Sequence, residues 1–327
     1  MKQENGRRIP AATKVIVLGV CLAVLGGIGS WLLLGGNTAE ACNGLPENER
    51  VRKSLGAAVQ PGMSCAAFGE ALVKATVGNK PGLHTRQQAQ SLKDVLFALG
   101  PTQPDGISLD PALRLPLATA LADYTPDVHE MLAGLDSTYL EHAGRAAPPW
   151  EAEGTYRLSV YDTLLRDALL AVSEDPHAYA VLRTADSRHV ARALAAVPRD
   201  AKGSAMALPP RKGARVLGVF DGLASMVTDG MGEDDAKAWR ATVAQEVAGG
   251  LATSGAGTVD TGADLSARWL ADFRKVPEEG RFGRLSEQGV DLTRIWLTSR
   301  NAGQATEDLL DEVADSAQSG RLSVDLP

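Results

Sequence analysis

Residues Thr85–Gly100 read TRQQAQSLKDVLFALG, and they decide the fold class. Thr85 followed three residues later by Gln88 is a capping box, in which the hydroxyl and the amide side chain each satisfy a backbone N–H that the first turn leaves free. Leu92, Val95, Leu96 and Leu99 then fall on one stripe with helical spacing. Gly100 and Pro101 stop the run. The same punctuation recurs on both sides. Pro46 opens a helix that ends before Pro61-Gly62, and Ser64 caps another with Phe68, Leu72 and Val73 on one face and Gly78 as its stop. Asp110-Pro111, Thr125-Pro126 and Asp175-Pro176 each set a capping residue before proline at the first helical position. Val128, Met131, Leu132, Leu135 and Tyr139 continue the helical period, as do Leu164, Leu165, Ala168, Leu169 and Val172 after Ser159 as a cap. Further helices are predicted over 214–229, 233–252, 264–275, 286–299 and 305–319, with 199–213 as a polar connection. The reading is all-α.

Composition agrees. Hydrophobic residues make up 44% of the 327 and aromatics only 5%, while alanine, the best helix former, is abundant. The net charge is −7. No basic run interleaved with aromatics exists to neutralise phosphates, which excludes a nucleic-acid partner.

The charge is uneven. Residues 1–14 carry Lys2, Arg7, Arg8 and Lys14 against Glu4, a net +3 that leaves −10 for the rest of the chain. Val15–Leu34 follows without a charge, and as a helix it would span about 30 Å, the thickness of a hydrocarbon core. The cationic flank places 1–14 in the cytoplasm and the chain beyond residue 36 outside. The expected organisation is a cytoplasmic tail (1–14), a transmembrane signal-anchor (15–34), a juxtamembrane linker (35–45), a helical subdomain (46–143), a Pro- and Gly-rich boundary loop (144–154) and a second helical subdomain (155–327). Ala39-Glu40-Ala41 fits a small-x-small cleavage pattern, so secretion after cleavage near Ala41 is the alternative. Gly19, Ala23 and Gly27 recur every four residues as a candidate transmembrane packing face, which would permit a homodimer.

Three cysteines are present. Cys21 lies in the apolar run, which leaves Cys42 and Cys65 on the oxidising side, enough for one structural disulfide. Two free thiols are the alternative.

The chemical motifs are missing. Ser254–Gly262 (SGAGTVDTG) lacks the lysine of a phosphate-binding loop and follows a helix instead of a strand. His84, His129, His142, His177 and His189 form no metal-binding spacing; His129 and His142 sit nearly 20 Å apart on a straight helix. These readings call for no catalytic residue, no cofactor and no metal, with the histidines solvated or capping. Glu70 is an ordinary amphipathic-helix glutamate by its surroundings. Glu233-Asp234-Asp235 is a charged first turn facing a helix dipole. Trp239, Trp269 and Trp296 are core candidates, and Trp150 an exposed one.

The segments CNGL at 42–45, Ser91–Gly100 and EGRFGRLSEQGVDL at 279–292 resemble uncharacterised exported, membrane-anchored helical proteins of GC-rich Gram-positive bacteria. The resemblance implies a location and no activity. The expected role is a non-enzymatic interaction or structural module of the cell envelope with an envelope protein as partner. The alternatives are an envelope hydrolase using a carboxylate pair, or a secretion-system-associated protein.

Overall fold

The computed structural model describes residues 41–79, 82–100, 107–134, 156–253, 261–300 and 306–324. Residues 1–40, with the uncharged run, Cys21 and the Gly19/Ala23/Gly27 stripe, lie outside them, as do the 144–154 loop with Trp150, and His142. Among the described residues there are thirteen α-helices, two short 3-10 turns and no β-strand. None of these helices is long and apolar enough to cross a membrane.

The helices are α1 (Glu49–Leu55), α2 (Cys65–Thr76), α3 (Arg86–Leu99), α4 (Pro111–Asp123), α5 (Thr125–Ala133), α6 (Asp162–Ser173), α7 (Pro176–Ala196), α8 (Ser204–Asp229), α9 (Glu233–Ala252), α10 (Thr261–Phe273), α11 (Glu278–Leu285), α12 (Gln288–Ser299) and α13 (Thr306–Leu322). Residues 39–327 form one compact unit, and α4 packs on α7 across the segment read as a boundary loop.

Side-chain caps account for five of the helix starts. Thr85 accepts from the Gln88 amide at 3.2 Å while the Gln88 side chain accepts from the Thr85 amide at 2.8 Å, the complete capping box. Ser64 caps α2, Asp110 caps α4 and Asp175 caps α7. Several starts differ from the sequence reading: α1 begins at Glu49 under an Asn48 cap and not at Pro46, and α11 has no counterpart among the expected helices. Thr125 does not cap α5: Tyr124 holds that position, and the Thr125 hydroxyl donates back to Ala122 O at 2.6 Å. Ser159 is buried ahead of α6, whose N-cap is Tyr161.

The connection expected over 199–213 is largely helix. α8 begins at Ser204 and runs through Pro209 and Pro210, each of which removes an intrahelical hydrogen bond. Packing overrides propensity there. Pro210, Gly213 and Ala214 are buried, and a Cβ at Gly213 would come 2.7 Å from a Val190 methyl carbon of α7. Farther along α8, a Cβ at Gly218 would meet the Ala317 carbonyl oxygen of α13 at 2.0 Å. Only a residue without a side chain permits that approach.

α7 is the hub. It packs against α4, α5, α6, α8, α9, α10 and α12. One face carries Tyr179, Leu182, Val190 and Leu194, all buried, together with Arg183, which has no exposure at all. The Arg183 Nη1 donates to Leu217 O at 2.6 Å and pairs with Asp221 Oδ1 at 2.9 Å. Its Nη2 donates to Leu285 O at 2.7 Å. One side chain thus ties α7 to α8 and α11. Trp239, Trp269 and Trp296 are core residues, as the sequence reading expects.

Residues 41–45, read as the end of a linker, are packed into the fold. Cys42 and Leu45 are each 1% exposed, and Cys42 is bonded to Cys65 with Cα atoms 5.0 Å apart. Cys42 and Asn43 adopt left-handed backbone (φ 66° and 55°), as does Gly44. That conformation costs a non-glycine residue about 1–2 kcal/mol. The Asn43 side chain offsets the cost by bonding to both Ser108 O and the Asp110 amide.

Removing half of the buried ion pair should be severe. Arg183→Ala, which removes the closer of the two arginines paired with Asp221, is expected to lower unfolding free energy in urea by about 3–5 kcal/mol. Arg183→Met combined with Asp221→Leu should recover most of that loss. A loss below 1 kcal/mol for the single variant would mean that the pair does not organise the hub.

Candidate functional site

The face of α7 turned away from Arg183 borders a cleft. Val181, Ala185, Arg188, His189, Arg192 and Ala193 recur at helical spacing along it. The opposite wall comes from the end of α4 (Thr119, Asp123) and the start of α5 (Thr125, Pro126). The cavity measures about 680 Å³, within the range of small-molecule sites.

Two histidine–aspartate pairs adjoin this cleft. The His84 Nε2 lies 2.8 Å from Asp123 Oδ2, an oxygen that also accepts from the Gly78 amide at 2.7 Å. The His84 ring stacks on Tyr124 at 3.6 Å, and the Tyr124 hydroxyl donates to Thr76 O. Burial pushes the His84 pKa down against the pull of Asp123, so the contact is a hydrogen bond from a neutral imidazole at pH 7. Nε2 then carries the proton. Nδ1 is left buried without a partner among the described residues. Burial also pushes the Tyr124 phenol well above its ordinary value, helped by Asp123 and Asp127.

Behind the cleft wall, the His129 Nδ1 lies 2.8 Å from Asp186 Oδ1, both side chains buried. The His129 ring lies 4.6 Å from that of His189, which lines the cleft. Asp186, His129 and His189 therefore form a chain of polar groups from the interior to the cleft. Burial depresses the His189 pKa to about 4, with His129, Arg192 and Arg157 adding to the depression and Asp186 opposing it.

The arginines on this face are differently placed. Arg188 Nη2 donates to Gly250 O and to Thr253 Oγ1, both neutral, and its Nε is buried without an acceptor. Burial and the neighbouring Arg192 lower its pKa. A smaller cleft of about 280 Å³ lies near Val197, Asp264 and Trp296, where Arg300 is spent on the carbonyls of Val197 and Pro198.

The sequence readings meet this geometry unevenly. The histidines are not all solvated or capping: His84 and His129 are buried and paired with carboxylates, whereas His177 is exposed beside Glu246. The partner of His129 is Asp186, 57 residues away and on another helix, which no local spacing reveals. Glu70 is exposed on α2, and Glu233, Asp234 and Asp235 form the exposed first turn of α9. Residues 254–260 of the glycine-rich stretch lie outside the described residues; Thr261 and Gly262 begin α10. A Cβ at Gly262 would sit 2.7 Å from Arg192 Cγ, so this glycine serves helix approach. Among the described residues no three or more His, Cys, Asp or Glu side chains are grouped to hold a metal ion. The chain matches no protein-family profile, no curated protein and no solved structure.

The depressed His189 pKa has a pH signature. The unfolded chain takes up a proton near pH 6.5 that the folded protein refuses until about pH 4. His189 therefore costs nothing above pH 6.5, and stability falls as the pH drops from there to about 4. The expected loss is on the order of 3 kcal/mol. His189→Gln should remove that part of the pH dependence in denaturation curves at pH 4 to 7. A wild-type slope in the variant would place the titrating group elsewhere.

Proposed function

We propose that this chain is a membrane-anchored, extracytoplasmic helical protein that works as a non-enzymatic interaction or structural module of the cell envelope. The observation that carries the reading is the Cys42–Cys65 bond. Disulfides persist in oxidising compartments and are rare in the cytosol, and this one closes the fold just beyond the uncharged run at 15–34. That run, with the +3 flank before it, supplies the anchor. Gly19, Ala23 and Gly27 supply its homodimer face. The resemblance to exported proteins of GC-rich Gram-positive bacteria points to the same location. Secretion after cleavage near Ala41 remains the alternative for the N-terminus, and a secretion-system-associated protein the alternative role.

A hydrolase is the second reading, and it has one observation in its favour. Asp186 orients His129, whose ring packs 4.6 Å from that of His189 at the cleft wall, and histidine is the commonest general base. Among the described residues Asp123 is the one carboxylate lining this cleft, and it is engaged by His84 and Gly78. Turnover of a cell-wall or lipid substrate that Asp186→Asn abolishes would favour the hydrolase.

Location is tested on spheroplasts. Protease added outside should digest the chain beyond residue 36 and spare residues 1–14; protection of the whole chain would reverse the topology. In the unreduced protein Cys42 and Cys65 should resist a maleimide and react only after reduction. Cys42→Ser and Cys65→Ser should each cost about 3 kcal/mol of stability, with the double variant no worse. Alkylation without reductant would rule out the bond.

A further inference from the structure

We propose that the cleft between α4, α5 and α7 binds a small organic anion, a carboxylate or phosphate head on an apolar body, with the head at Arg188 and Arg192 and the body over Val181, Ala185 and Ala193. The inference goes beyond the envelope reading and does not depend on where the domain resides.

Charge argues for the head. The chain as a whole carries −7, yet among the described residues the lining of this cleft holds two arginines against one carboxylate. Asp123, that carboxylate, already accepts from the Gly78 amide and from His84. Arg188 and Arg192 stand one turn apart on the same stripe, where like charges repel. No ion pair among the described residues involves either of them. Arg188 is held from behind by Gly250 O and Thr253 Oγ1, so its position is set before any ligand arrives. A carboxylate or phosphate matches a guanidinium fork in geometry and offsets the repulsion between the two cations.

The rest of the lining argues for the body. Val77, Ala122, Pro126, Val181, Ala185 and Ala193 offer no hydrogen bond from their side chains. The Thr119 and Thr125 hydroxyls donate to the α4 carbonyls of Leu115 and Ala122. An inorganic ion would leave most of the 680 Å³ to water against apolar walls. A short hydrocarbon or ring fills it and gains roughly 25 cal/mol per Å² of apolar surface buried.

The test uses the full-length chain in phosphatidylcholine nanodiscs, titrated calorimetrically with octanoate, octyl phosphate, octanol and inorganic phosphate, with empty nanodiscs as the blank. Octanoate or octyl phosphate should bind saturably at one site, at least tenfold more tightly than octanol or inorganic phosphate; the tighter of the two names the head group. Arg192→Glu, at an exposed position, should weaken binding at least tenfold. Arg192→Lys should stay within threefold of wild type. Ala193→Phe should fill the cleft and abolish binding with its circular dichroism unchanged. Equal affinity for octanol and octanoate, wild-type affinity in Arg192→Glu, or no saturable binding of either anion would each overturn the proposal. The titration is blind to topology and the protease experiment is blind to the cleft, so each can fail alone.

Discussion

The guanidinium of Arg183 sets the geometry on which the other packing depends. It is fully buried, and it reaches a carboxylate and two main-chain carbonyls on two other helices. Burial pushes the Asp221 pKa up while Arg183 and Arg321 pull it down. A charge placed this deep is tolerated only in a geometry that satisfies it, so α7 can hold only one rotation about its own axis. That rotation turns Arg183 inward and leaves Val181, Ala185, His189 and Ala193 on the cleft side. Tyr179, one turn before Arg183, fixes the same rotation by donating to Phe220 O and packing on Trp239.

Helices were legible wherever the determinants lay within four residues of one another. The Thr85–Gln88 box, the Ser64, Asp110 and Asp175 caps and the Leu92–Leu99 stripe all stand as written. Thr125 failed as a cap for a local reason: its hydroxyl turned back to Ala122, so α5 follows α4 with Tyr124 between them. The span before residue 214 failed for a distant one. Pro209 and Pro210 argue against helix on propensity, but the burial of Pro210 and Ala214 and the Gly213 approach to Val190 hold the backbone helical. Nothing near residue 209 in the chain announces that contact.

The cleft was hidden for a different reason. Ala185, His189, Ala193 and Ala196 share one stripe with Arg188 and Arg192, but alanines at helical spacing ordinarily mean close packing. The periodicity is the same whether the facing surface is another helix or a cavity. The histidines were read by their spacing along one helix, His129 against His142, although the pairing that matters runs to Asp186 across 57 residues. The run R-H-V-A-R at 188–192 was the available hint: two arginines and a histidine within one turn and a half, with no acid among them to neutralise them.

The Cys42–Cys65 bond also decides how the molecule would carry a mechanical load. A pull on the chain ahead of residue 41 would otherwise peel the left-handed turn, then α1, one weak contact at a time. With the sulfurs joined, the force passes from Cys42 directly into the first turn of α2, and the 22 residues between the two cysteines are shielded from it. Tension is then met by α2 as a whole, anchored through Phe68 and Leu72 in the core and seated at Gly69 against Pro116 of α4. A chain tethered at its N-terminus would thus resist in shear, where many contacts must yield together, and a reduced one would unzip.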